Sequence, residues 1–297
     1  MGKFQSLRNL ISRLLPWWLR RFVPENIFKH LYPKGIFTAR YFGKPRFKMY
    51  SSGAQVENEI YWWGLENCHE RLSVKIWITL CEVLSPKVVW DVGANTGSYG
   101  LLAKHFAPHS EVSLFEPLRD PIEIAKENFR INKFEGNFHR LALGNFGGEA
   151  KVFLESDLDF AYSVTVNKNL APEKAKRELT IEVERASAFI ENSEGVPNLI
   201  KIDVETFEPE VLEGFESMDL TSTTFLIEVL NDSIAEAIQK CLPQSDFMYL
   251  NVNDRKNTCR FQENLSKSDF YNFLIIPKRM DSKNLQQVKD FVANYSE

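Results

Sequence analysis

No apolar run in these 297 residues reaches the roughly eighteen positions that a membrane-spanning helix needs. The opening stretch also lacks the shape of a secretory leader, because Arg13 and Pro16 interrupt its apolar part. Cysteine is sparse: Cys68, Cys81, Cys241 and Cys259 are far apart and form no C-x-x-C pair. That spacing argues against a zinc site and for free thiols in a reducing compartment. Histidine offers no ligand pair, since Pro108 between His105 and His109 should end any helix carrying both. Two nucleotide signatures are missing as well. The dinucleotide fingerprint needs glycine where Asn95 and Ser98 stand, and a phosphate loop needs a Gly-Lys-Ser/Thr that is nowhere present. With no internal repeat and no low-complexity segment, these absences leave a cytoplasmic globular chain with no expected metal ion.

What is present is a sizeable apolar fraction, 44% of residues, enough for one large domain or two small ones. The net charge of −4 hides an asymmetry: residues 1–48 hold eleven Lys/Arg against Glu25, about +10, which leaves about −14 for the rest. A basic N-terminal extension over 1–56 and a catalytic domain over 57–297 are therefore expected to meet different partners. Phe4, Leu7, Leu10, Ile11, Leu14 and Leu15 share one helical face, and Pro16-Trp17-Trp18-Leu19-Arg20-Arg21-Phe22 follows. Such a basic, tryptophan-bearing helix suits peripheral membrane contact through residues 1–22, and it equally suits packing on protein. Nucleic acid is not expected, because no recognition motif accompanies the charge. Residues 33–56 read as irregular structure or a short hairpin. The aromatic stretch Glu57–Leu65 reads either as a wall over the substrate or as core packing.

The chain is organised around Val88–Gly100. Its apolar run reads as a buried strand, followed by three glycines and a helical stretch from Ser98 to Phe106. Glycines there let the backbone turn sharply and approach a ligand, and the helix start offers free N–H groups. The spacing Asp91-x-Gly93-x-x-x-Gly97 is the pattern of S-adenosylmethionine binding in Rossmann-like methyltransferases. Two later strands end in acids: Val112–Phe115 runs into Glu116-Pro117, and Leu199–Ile202 runs into Asp203-Val204-Glu205. An acid at Glu116 is placed to accept from ribose hydroxyls. Glu149–Glu155 and Glu178–Glu184 alternate like an antiparallel pair, while Ser156–Ala175, with Tyr162–Thr165, reads as a long loop that could face substrate. Asn137–Leu143 is expected as the third strand.

Asp91–Gly97, Phe115-Glu116-Pro117 with Asn128, Ala142–Gly148 and Ile200–Leu212, in that order, resemble the FkbM family of S-adenosylmethionine-dependent methyltransferases. The resemblance implies an α/β, Rossmann-like class I methyltransferase with a seven-stranded, mostly parallel sheet and helices on both faces, preceded by an N-terminal helical extension. It implies O-methylation of a sugar, glycolipid or related hydroxyl. The cofactor wall expected on this basis comprises Asp91, Gly93, Ala94, Asn95, Gly97, Tyr99, Glu116, Pro117, Ala142, Leu143 and Asp203. Asp91 is expected to bind the donor's amine or brace the glycine turn. The candidate catalytic set is Asp203, Glu205, Lys201 and Glu208, with Glu205 taking the hydroxyl proton and Asp203 orienting donor or acceptor. Glu205 and Glu208 could instead cap the next helix. Thr206 stands where the family has glycine, and Arg185-Ala186 where it has Leu-Asp. The competing readings are an inactive, donor-binding or membrane-recruited scaffold, and a nicotinamide oxidoreductase, which the glycine spacing disfavours.

Overall fold

The computed structural model describes residues 10, 13–28, 31, 33–154, 164–165, 177–190, 193–268 and 270–296. Phe4, Leu7 and Ile11 of the amphipathic face, and Tyr162 and Ser163 of the long loop, lie outside these residues. In chain order the strands are β1 (Gly35–Tyr41), β2 (Lys44–Ser51), β3 (Val88–Val92), β4 (Glu111–Phe115), β5 (Asn137–His139), β6 (Ala142–Gly144) and β7 (Gly148–Leu154). They continue with β8 (Val164–Thr165), β9 (Arg177–Arg185), β10 (Leu199–Ile202), β11 (Thr224–Glu228), β12 (Phe247–Asn253), β13 (Thr258–Gln262) and β14 (Asn272–Pro277).

The main sheet runs β13-β12-β14-β11-β10-β3-β4-β5. Strands β11, β10, β3, β4 and β5 are mutually parallel, and β14 enters antiparallel beside β11. Every residue of β3 and β10 is buried, which is why both are apolar apart from Asp91 and Lys201. Helices Arg71–Leu84, Ser98–Phe106, Arg119–Asn132 and Ser282–Ala293 cover one face, and Glu208–Glu213 with Asp232–Cys241 cover the other. This is the expected doubly covered α/β fold with one strand more than seven. A turn at Asp254–Asn257, with Asn257 in the left-handed region, folds the chain back so that β13 pairs antiparallel with β12.

The third strand is shorter than expected. Pairing with β4 stops at His139, and after Arg140-Leu141 the chain leaves to form β6 in a separate sheet of order β6-β9-β7-β8. The antiparallel partners predicted by alternation are there as β7 and β9. Their inward residues Val152, Ile181 and Val183 make a small core of their own.

The segment before the main sheet packs into it. Phe37, Ala39, Phe47 and Met49 of the β1–β2 hairpin share a cluster with Ile60, Tyr61, Trp62 and Trp77. The aromatic stretch is thus core packing on the helix Gln55–Trp63, each such buried side chain contributing roughly 1.5–3 kcal/mol. Polar bonds fix the hairpin as well. Tyr50 N donates to Asn128 Oδ1 (2.6 Å) and Lys48 N to Asn132 Oδ1 (2.8 Å). Asn128, fully buried, donates from Nδ2 to the Thr96 carbonyl (2.9 Å), so one side chain joins hairpin and glycine turn.

Candidate active site

At the end of β3 the chain turns at Gly93, φ +77°, where a Cβ would lie 1.8 Å from the Asp203 carbonyl oxygen. Only glycine lets the turn after β3 touch the end of β10. Gly97, φ +79°, starts the next helix against Ala125 and Leu114. The N–H groups of Gly93 and Ala94 both donate to the Phe115 carbonyl (2.9 and 3.0 Å), tying this turn to β4. Asp91, buried, accepts from Gly100 N (2.8 Å), and burial pushes its carboxyl up to about 7. Its oxygen therefore braces the turn. Glu116 accepts from Asn95 N (3.0 Å) and Leu118 N (2.9 Å), and burial raises it to about 7 despite both bonds. Each carboxylate oxygen retains a lone pair for another donor.

Across the cavity, β10 presents Lys201 and Asp203 on one side. Lys201 Nζ donates to Asp203 Oδ2 (3.0 Å) and lies 5.3 Å from the centre of the Tyr99 ring. Burial alone would lower the pKa of Lys201, but the charges of Asp203 and Glu70 prevail and raise it. Glu228, at the end of β11, is held protonated by burial and by the neighbouring Asp203 charge. Its Oε2 and the Tyr99 hydroxyl are buried with no hydrogen-bond partner among the described residues. Glu205 and Thr206 take left-handed backbone, φ +53° and +83°, at a bend where the family's glycine would be unstrained.

One cavity of about 580 Å³ joins both walls, within the usual range for a small-molecule site. Asp91, Gly93, Ala94, Asn95, Tyr99, Glu116, Pro117, Ala142, Leu143, Lys201, Asp203 and Glu205 line it. Two expected site residues do not. Gly97 acts through the shape of the turn. Glu208, with no exposed surface, turns inward, and its Oε1 accepts from Val204 N and Thr206 N (3.2 Å each). It holds the bend carrying Glu205, so its expected place in the chemistry is corrected to positioning. Val152 and Ile181 add an apolar wall from the second sheet.

The fold also brings in groups that the sequence did not single out. His69 and Glu70, just before the helix Arg71–Leu84, line the same cavity as Asp254 and Asn272. His69 Nδ1 meets the buried Glu59 at 2.8 Å, and its Nε2 is 3.8 Å from Glu70. Burial would lower its pKa, yet the Glu59 bond and the Glu70 charge lift it to about 9. Asp254 accepts from Leu72 N, Ser73 N and Ser73 Oγ (2.7, 2.8 and 2.6 Å), capping that helix. Only the pairing of distant segments could have revealed this wall. Among the described residues no cluster of three His, Cys, Asp or Glu is arranged for a metal ion.

Comparison with known proteins adds to this geometry. The model of the methyltransferase FkbM domain matches residues 91–259, more than half of the chain. The chain belongs to the FkbM methyltransferase family. Curated relatives include Methyltransferase 1 of Beauveria bassiana, 25% identical over 167 residues, covering 50% of this chain and 67% of that protein. Hexuronic acid methyltransferase AglP of Haloferax volcanii is 28% identical over 151 residues, with 50% of this chain and 58% of that protein covered. The match thus spans little more than half the length of AglP. The solved structure of methyltransferase FkbM from Methylobacillus flagellatus aligns at TM-score 0.41 and 14% identity, over 64% of this chain and 43% of that one.

S-adenosylmethionine is the methyl donor of FkbM enzymes, and the residues of this cavity fit it. Pro117, Ala142, Leu143, Val152 and Ile181 offer an apolar slot for a purine, and Glu116 stands beside it as an acceptor. The unpartnered Tyr99 hydroxyl and Glu228 oxygen would find polar partners on a bound ligand.

Proposed function

We propose that this chain transfers the methyl group of S-adenosylmethionine to a hydroxyl of a sugar, glycan or glycolipid. The observation that carries the reading is that the glycine turn, the charged end of β10 and Glu228 at the end of β11 face one continuous cavity. The hexuronic acid named for the archaeal relative, though from a partial match, favours a carbohydrate acceptor. Gly93–Asn95, Tyr99, Ala142 and Leu143 hold the donor, with Glu116 at its ribose. When bound, the donor supplies an electrophilic methyl on a sulfonium whose sulfur departs as a neutral thioether. Asp203, fixed by Lys201 at 3.0 Å, orients acceptor or donor. Glu205 takes the hydroxyl proton as the oxygen–carbon bond forms, a contribution on the order of 10²–10⁴-fold. Alignment of the two reactants supplies much of the rest.

The test incubates the full chain with donor and a panel of neutral sugars, hexuronic acids and their glycosides, reading S-adenosylhomocysteine release and methylated product. Glu205→Gln should lose most of the rate while keeping donor affinity. Donor binding with no turnover on any acceptor would favour the scaffold reading instead. The charge division at residue 56 fits a chain whose residues 1–22 touch a membrane surface while 57–297 perform the chemistry. No helix of the described residues is long and apolar enough to cross a membrane.

A further inference from the structure

Among the described residues, every large apolar side chain that stands exposed, except Phe261 and Tyr271, belongs to residues 10–50. Phe22 is 69% exposed, Phe42 64% and Trp18 53%. They come from two separate pieces, the segment 13–28 and the tip of the β1–β2 hairpin, and these pieces touch. Arg13 donates to the Lys34 carbonyl (2.6 Å), and the Arg40 guanidinium lies 5.0 Å from the centre of the Trp17 ring. Trp17 packs so close to the hairpin turn that a Cβ on Gly43 would meet it at 2.6 Å.

Phe42 is the informative residue. It takes φ +48° in the two-residue turn Phe42-Gly43, where Asn, Asp or Gly is the usual occupant. A bulky aromatic residue there is strained. Among the described residues it meets the Tyr41 ring, 4.6 Å between centres, and still stays mostly exposed, so a contact beyond them accounts for its apolar ring. The surrounding charge is mostly of one sign: Arg20, Arg21 and Arg40 stand with Phe42 against one acid, Glu66, and Glu25 is the one acid in residues 1–48. Projecting aromatic rings among arginines and lysines match a bilayer interface bearing anionic headgroups. The hollow of about 220 Å³ between these two pieces has room for a side chain or two rather than a peptide segment.

We propose that Trp17–Phe22 and the hairpin tip Arg40–Arg46 form one surface that seats on an anionic lipid bilayer. This rests on the membrane contact given above for residues 1–22 and extends it to the hairpin, which packs directly on the catalytic fold.

The full chain is sedimented with vesicles of phosphatidylcholine alone and of phosphatidylcholine mixed with phosphatidylglycerol. It should pellet with the mixed vesicles only, and each arginine changed to glutamine in this surface should weaken binding about fivefold. Phe42→Asp and Phe22→Asp should weaken it comparably. Phe42→Gly, which removes the backbone strain, should keep or raise the melting temperature and still lose affinity. Absence of pelleting with mixed vesicles overturns both the contact of residues 1–22 and the extended surface. Loss with Phe22→Asp but full retention with Phe42→Asp and Phe42→Gly overturns the hairpin's part alone. Lipid-free dimerisation that Phe42→Asp abolishes, without vesicle binding, assigns the surface to a second copy and overturns the proposal.

Discussion

Replacing Glu208 with glutamine should barely change methyl transfer at neutral pH, yet change how the fold responds to pH. The side chain has no exposed surface, and its Oε1 accepts two backbone N–H groups from the bend after β10. Its Oε2 is buried without a partner, and burial, helped by the Asp203 charge, pushes the carboxyl up to about 8. The unfolded chain releases this proton near 4.5 while the folded chain keeps it to about 8. Between those values the unfolded state binds fewer protons, so stability falls as pH rises through the window and levels off above it. The rise from 4.5 to about 8 sets an upper limit of about 5 kcal/mol. Relaxation and water entry reduce this to on the order of 2 kcal/mol. Glu57, Asp91, Glu116, Glu228 and Asp254 are among the carboxyls raised in the same direction, so the wild-type curve alone mixes several groups. The gap between wild type and Glu208→Gln isolates one. Urea denaturation at about pH 5.5, 7 and 8.5 should show the variant gaining on wild type with each step. A gap that does not move with pH would refute the protonation argument. A hundredfold loss of rate at pH 7 would return Glu208 to the chemistry.

Four further outcomes are expected. Glu116→Ala should weaken S-adenosylhomocysteine binding by about 10–100-fold in calorimetry with little change in rate at saturating donor, and unchanged affinity would remove its ribose role. Gly93→Ala forces a Cβ to within 1.8 Å of the Asp203 carbonyl oxygen, so donor binding should be lost with a lowered melting temperature; normal affinity would mean that the turn yields. Thr206→Gly relieves left-handed backbone worth about 1–2 kcal/mol at a glycine cost of about 0.5–1 kcal/mol, giving a higher denaturant midpoint, and a lower one would count against strain there. Glu59→Gln should bring His69 from about 9 back toward 6.5 in an NMR titration, and with it the stability that His69 contributes below 6.5 and loses as pH rises through 9; an unmoved titration would mean that Glu70 and Asp254 hold the charge.

The glycine turn and the acid after β4 were legible as parts of one cavity because they are local. Asp91–Gly97 combines a fully buried strand with glycines whose positive φ and close contacts leave no alternative residue, and Glu116 follows directly on the next strand. Lys201 and Asp203 share a face by simple alternation, and the left-handed bend at Glu205 still leaves that residue on the cavity. Glu208 was misread because spacing cannot tell a carboxylate that points out of a helix start from one that turns in to hold the preceding bend. The opposite wall was illegible for another reason. Glu59, His69, Glu70 and Asp254 each look like ordinary polar residues, and Asn272 joins Glu70 across 202 positions only once β14 has inserted. The third strand broke at Arg140-Leu141 because a second sheet captured Ala142–Gly144, a tertiary competition that no local pattern records.

Asn128 gives this architecture a practical consequence. Its amide nitrogen steadies Thr96, inside the loop that would cup the adenosyl group, while its oxygen is occupied by Tyr50, a residue of the basic extension. A chain shortened to begin at residue 57, the cut that charge alone recommends, would lose Gln55 and Val56 from the cavity lining but keep the glycine turn, Glu116, Ala142 and Leu143. It would still forfeit the tether that keeps the cup in shape, so a trimmed enzyme should bind its donor poorly although the turn's own residues are all present.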